Sequence, residues 1–143
     1  MEEVEEFTYL GQIMSFKDKM MKEIDKRISQ AWKGYWALRA VLKGDLAIAS
    51  KVKMLEACIF PILTYGAQTR YLTNAQAKKL AVTQRGMERS LLNIKRKDKI
   101  RVKSIRAKTK CRGIISMAKK LKIKHAGHLA RMEENRWCRR TTF

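Results

Sequence analysis

DKMMKEIDKRISQAWKGYWALRAVL, residues 18–42, decides the fold. Met20, Ile24, Ile28, Ala31, Tyr35, Leu38 and Leu42 recur at steps of three or four, which sets them on one stripe of an amphipathic α-helix. Gly44 ends this helix, and Asp45 stands where it can cap a second one, in which Ile48, Val52, Leu55, Ile59 and Ile62 keep the same period. Pro61 falls inside that pattern, so the second helix is expected to kink there or to end near Phe60.

Downstream, Thr73 and Gln76 have the spacing of a capping box. Ala77, Leu80, Ala81, Gln84, Met87, Leu91 and Ile94 follow with helical spacing, so a third helix is expected over 74–94. Lys95 to Lys99 is too charged for a core, and Asp98 is placed to cap a short basic helix reaching about Lys108. A last helix is expected from about Ile114 to Met132, with Ile114, Met117, Ala118, Leu121, His125, His128, Leu129 and Met132 on one side. Upstream, Phe7-Thr8-Tyr9-Leu10-Gly11-Gln12-Ile13 begins with aromatic and β-branched residues and reaches a glycine, which reads as a short strand ending in a turn or bulge. No other segment reads as a strand, so its partner is expected outside this sequence. The expected fold is all-α, a bundle of four or five helices with a short N-terminal strand remnant.

Composition agrees. One proline and seven glycines in 143 residues leave little loop material, and 45% hydrophobic residues suffice for a helical core. The net charge is +20, from 33 Lys and Arg against 13 Asp and Glu. It is unevenly spread: residues 1–94 hold 15 positive and 10 negative side chains, and residues 95–143 hold 18 and 3. A single-sign block of that density points to a polyanion, nucleic acid first, where mixed signs would serve solubility better. Lys26, Arg27, Lys95, Arg96, Lys97, Lys99, Arg101 and Lys103 are the candidate nucleic-acid-binding residues. Trp32, Tyr35 and Trp36 interleave with the cations of the first helix, as base-stacking residues do. Tyr35 lies on the apolar stripe and reads as packing, while Trp36 is open to either reading.

Catalysis has little support in these residues. Two-metal nucleotidyl transfer needs paired carboxylates, and the acidic pairs Glu2-Glu3, Glu5-Glu6 and Glu133-Glu134 lie near the termini, where a solvated surface is the simpler reading. His125 and His128 stand one helical turn apart, but with Cys111 and Cys138 they match no common zinc spacing, so no metal site is assigned. Neither a nucleophile motif nor a phosphate-cradling glycine loop is present. The three cysteines, Cys58, Cys111 and Cys138, form no C-x-x-C pair and read as reduced thiols of an intracellular protein, nuclear or cytoplasmic. No stretch approaches the ~20 apolar residues that span a bilayer, so no membrane partner is expected.

Five segments taken in order carry a resemblance: Phe7-Thr8-Tyr9-Leu10-Gly11, Glu23-Ile24-Asp25-Lys26-Arg27-Ile28, Pro61-Ile62-Leu63-Thr64-Tyr65-Gly66-Ala67-Gln68-Thr69, Gln84-Arg85-Gly86-Met87-Glu88-Arg89 and Ala126-Gly127-His128-Leu129-Ala130-Arg131-Met132. Each is weak alone, but in this order they resemble the end of the reverse transcriptase domain of LINE-type (non-LTR) retrotransposons, the endonuclease-bearing RTE-like group above all. The likeness covers nearly the whole chain. It implies that Tyr9, Leu10 and Gly11 belong to a primer grip, the hairpin at the junction of palm and thumb. It also implies a remnant of the palm end over 1–16, a thumb-like bundle over 17–94 and a basic helical segment over 95–143.

The family's catalytic Y-x-D-D box lies upstream of these segments. The resemblance therefore implies a piece of an RNA-directed DNA polymerase that is not an enzyme on its own. Its partners would be an RNA or DNA template-primer and the palm and fingers of the parent polymerase. No cofactor is expected, since Mg2+ would belong to the palm. Arg70 stands where the family usually has an aromatic residue, and His125 where it has tryptophan. A stand-alone basic DNA-binding protein with a recognition helix is the alternative, and an inert remnant of a degenerate element is a second.

Overall fold

The computed structural model describes residues 6–9, 12–15, 19–132 and 137. The fold is all-α, with a small N-terminal hairpin in front of the bundle. Strand β1 (Glu6–Tyr9) pairs antiparallel with β2 (Gln12–Ser15), Phe7 facing Met14 and Tyr9 facing Gln12. This corrects the expectation of a strand without a partner in the sequence. Backbone donors and acceptors must be paired, and the four residues that follow the turn signal at Gly11 supply the pairing.

Helix α1 (Lys19–Ala37) buries Ile24, Ala31 and Tyr35, as the stripe requires. It breaks at Leu38, and a short α2 (Arg39–Lys43) carries Leu42 into the core before Gly44 ends it. Asp45 caps nothing: α3 (Ile48–Met54) starts three residues later, with Ala47 at its N-cap and no side-chain cap bond. The disturbance expected at Pro61 takes the form of a widened turn. Residues Leu55–Ile59 adopt π-helical bonding, Phe60 N–H donates to Leu55 C=O five residues back, and α4 (Phe60–Thr64) carries Pro61 in its first turn. Proline there lacks an N–H and its ring crowds the preceding turn, which the wider loop relieves. α3, the π segment and α4 thus form one continuous helix.

Helix α5 (Asn74–Leu91) opens with the full capping box: Gln76 N–H donates to Thr73 Oγ1 at 3.4 Å and Thr73 N–H to Gln76 Oε1 at 3.0 Å. It ends in a Schellman motif with Asn93 at φ 57°, Ile94 N–H reaching Arg89 C=O and Asn93 N–H reaching Ser90 C=O. Helices α6 (Val102–Thr109) and α7 (Ile114–Ala130) complete the bundle. Asp98 does not cap α6, whose N-cap is Arg101. Among the described residues there are thus five principal helices and the short α2.

One core unites them. Tyr35, Leu42, Leu55, Ile59, Phe60, Met87 and Ile114 are almost fully buried. Ile105 of α6 and Ala118 and Leu129 of α7 are buried too, so residues 95–132 share the packing of residues 19–94. Asp25 of α1 also holds Lys79 of α5, its Oδ1 2.6 Å from the Lys79 Nζ, at the surface.

Candidate nucleic-acid interface

The stretch from Lys95 to Arg112 holds ten Lys and Arg and one acid, Asp98. All ten cations are exposed. Local chemistry explains how the backbone presents them. Asp98 Oδ2 accepts from Lys95 N–H at 2.8 Å and closes a 3-10 turn over Arg96–Asp98. Lys99 then turns the chain in the left-handed region (φ 47°), and α6 begins. On α6 the alternation is that of a surface helix: Ile105 and Thr109 face the core, while Lys103, Arg106 and Lys108 stay in solvent. Lys110 (φ 51°) ends it with its N–H on Arg106 C=O.

The far end of this basic strip is fastened from within. Gln84 is completely buried and bridges α5 to the start of α7: its Oε1 accepts from Ile114 N–H at 2.8 Å, and its Nε2 donates to Arg112 C=O at 2.8 Å. The same Nε2 donates to Glu88 Oε1 at 2.7 Å. Gln84 thus satisfies one of the orphan donors in the first turn of α7, which has no cap of its own. Glu88 is also fully buried, and its Oε2 has no hydrogen-bond partner. Burial raises its pKa, opposed by the Gln84 bond and the fields of Arg106 and Arg85. From α3–α4, Glu56 Oε1 accepts from Arg112 N–H at 2.8 Å and its Oε2 lies 3.5 Å from the Arg112 guanidinium. Cys111 sits between these carboxylates, where burial and then Glu88 and Glu56 push its thiol up to about 12.

Of the ten cations only Arg112 has a carboxylate partner among the described residues. Like charges at this density repel, within a screening length of roughly 8 Å in physiological salt. A bound polyanion relieves that repulsion.

The expected set is thus partly brought together. Lys95, Arg96, Lys97, Lys99, Arg101 and Lys103 lie on the exposed strip, and Lys26 on α1 is half-buried. Arg27 is corrected. It is only 7% exposed, its Nε lies 2.7 Å from Glu23 Oε1, and its guanidinium covers the Tyr65 ring at 4.4 Å. It holds α1 to the turn after α4 and is not offered to solvent. Tyr9 closes β1, while Leu10 and Gly11 lie outside the described residues, as does Cys138. Tyr35 is buried, as the stripe implied, and Trp36, open to either reading in the sequence, is half exposed. Arg70 turns back on its own loop, donating to the carbonyls of Gly66 and Tyr65.

The sequence reading missed Arg106, Lys108 and Lys110, whose signal was the same charge run continued past Lys103. It also missed Lys43 and Arg89, which only the fold brings to the strip's beginning. Among the described residues no three metal-ligating side chains cluster, and no helix is long and apolar enough to cross a membrane.

Fold and surface together define an all-α basic bundle with a dense cationic strip, of which only Arg112 meets a carboxylate among the described residues. No family model matches the chain, and no solved structure does. It is similar to an uncharacterised transposon-derived protein of Caenorhabditis elegans, with 26% identity over 141 residues. The match covers 96% of this chain and 50% of that protein, so the chain spans about half the length of the curated relative.

Proposed function

We propose that the chain is of transposon origin and works as the thumb-like part of a LINE-type reverse transcriptase, gripping template-primer nucleic acid without reading its sequence. The observation that carries this reading is the strip Lys95–Arg112, ten exposed cations of which one is paired. Lysine and arginine meeting phosphates fix position on a nucleic acid but carry no base information. The similarity to a transposon-derived protein supports the origin. The β1–β2 hairpin, with Tyr9 at its turn end, supports the primer-grip reading of Tyr9, Leu10 and Gly11. On this reading the polymerisation chemistry and its Mg2+ belong to other parts of the parent enzyme, and this chain alone extends no primer.

Replacing Lys95, Lys97, Lys99 and Lys103 together with glutamine tests the assignment. Affinity for all duplex sequences should fall alike, and the log–log salt slope should flatten by up to about 3 to 4 units, at ~0.9 per phosphate contact. Helix content should stay the same, because glutamine is nearly as good a helix former as lysine. Unaltered affinity and slope would remove the strip from the interface. A strong preference for one duplex sequence would favour the stand-alone, sequence-reading alternative.

A further inference from the structure

At the beginning of the basic strip an open cleft of about 640 Å3 lies between α1, the end of α2 and the C-terminal half of α5. That size falls within the ~300–1,000 Å3 of small-ligand sites. One wall is aromatic. Trp32 lies against Gly86, where a Cβ would stand 3.2 Å from the indole Cζ2, so glycine lets the ring approach α5. Behind it, Tyr35 meets Trp32 edge-on at 5.4 Å and Trp36 stacks on it at 6.3 Å.

The other walls carry Lys43, Arg89, Lys95 and Arg96, and no carboxylate lines the cleft. Lys43 uses one of its three donors on Asn93 Oδ1 at 2.8 Å. Arg89, Lys95 and Arg96 make no ion pair among the described residues. They are not consumed by the end of α5 either, since the Schellman bonds already satisfy the carbonyls of Arg89 and Ser90.

A purely apolar ligand would leave four cations unused, and a free phosphate would leave the indole unused. A nucleotide uses both, since its base has a flat apolar face and its phosphate is anionic. Lys95 and Arg96 are also the first cations of the strip, so a strand lying along the strip reaches the cleft without a gap.

We propose that this cleft receives one unpaired nucleotide of the bound nucleic acid, its base against Trp32 and its phosphates between Arg89, Lys95 and Arg96. The inference rests on the nucleic-acid reading above and adds a consequence: the protein prefers a duplex with a single-stranded overhang to a blunt one.

The experiment compares the full chain's affinity for a blunt duplex and for the same duplex with a short overhang. One stacked base should favour the overhang by about tenfold. Arg89→Gln with Arg96→Gln should abolish that ratio. Lys103→Gln with Lys108→Gln, outside the cleft, should weaken both ligands and keep the ratio. In a Trp36→Phe, Trp137→Phe background, where Trp32 is the remaining tryptophan, the overhang should quench fluorescence and the blunt duplex should not. This arm needs no change in the cleft itself. Equal affinities, a ratio that survives loss of Arg89 and Arg96, or no differential quenching would overturn the cleft assignment while leaving the strip intact. No binding of either duplex at low salt would overturn the nucleic-acid reading on which it rests.

Discussion

Replacing Gln84 with alanine should be among the most damaging single changes in this fold, although Gln84 touches no ligand. The side chain is fully buried and makes three hydrogen bonds, to Ile114 N–H, Arg112 C=O and Glu88 Oε1. Without it, the buried N–H at the start of α7 is left unsatisfied, at about 1–3 kcal/mol. Glu88 loses its donor as well, and its other oxygen already lacks a partner. A hydrogen bond to a charged group is worth ~1.5–3 kcal/mol. A small cavity adds to both. Water entering the gap recovers a part, so the expected loss is about 3–5 kcal/mol, a large fraction of the ~5–15 kcal/mol that holds a domain folded. Urea denaturation followed by far-UV circular dichroism reads it as a lower midpoint at unchanged slope. Gln84→Leu, which fills the space without bonding, should be nearly as damaging. A loss under about 1 kcal/mol for both variants would show that the α5–α7 clamp does not hold the end of the basic strip.

Burial raises the Glu88 carboxyl above its ordinary value of 4.5. The stability linked to it is therefore fully present below pH 4.5 and is lost as pH rises through the folded-state pKa. Glu88→Gln should remove that loss, so the variant gains on the native chain between mildly acidic and neutral pH. Parallel urea midpoints across that range would contradict it. Arg27→Ala should destabilise by roughly 2–4 kcal/mol, because it removes a buried charge-assisted bond to Glu23 and the guanidinium stacked on Tyr65. Lys26→Ala should stay within about 0.5 kcal/mol in the same urea titrations, and equal effects at the two positions would refute the burial argument for Arg27.

Much of the bundle was legible because apolar spacing and caps are local signals. The stripe from Ile24 to Tyr35, the Thr73–Gln76 box and the start of the last helix at Ile114 stand as read, whereas the single helix expected to reach Leu42 breaks at Leu38 into α1 and α2. What escaped the sequence depends on partners distant along the chain, or on a turn that can close in more than one way. Arg27 reads as a cation open to nucleic acid, yet its Nε lies on Glu23 and its guanidinium over the ring of Tyr65, a residue far along the chain. Asp98 has the residue type of a cap for α6, yet it satisfies Lys95 N–H in a tighter turn instead. β1 looked orphaned because Gln12–Ser15 has a weak strand pattern of its own. In the candidate interface, the run after Ile94 announced itself by charge. Lys43, Arg89 and the Trp32–Gly86 contact did not, because they come together only through the packing of α1 and α2 against α5. The resembling segments also acquire physical roles. Gly86 admits Trp32, Gly66 turns the chain at φ 69°, and Gln84 and Glu88 anchor the basic segment.

The central claim, that the exposed cations grip nucleic acid by its backbone, is tested most directly by the unmodified chain's affinity for several unrelated duplex sequences across a range of salt. Closely similar dissociation constants are expected for every sequence, with a steep linear fall of log affinity with log salt of about one unit of slope for each phosphate contact. Failure to bind at low salt, a flat salt dependence, or one sequence bound far more tightly than the rest would contradict it.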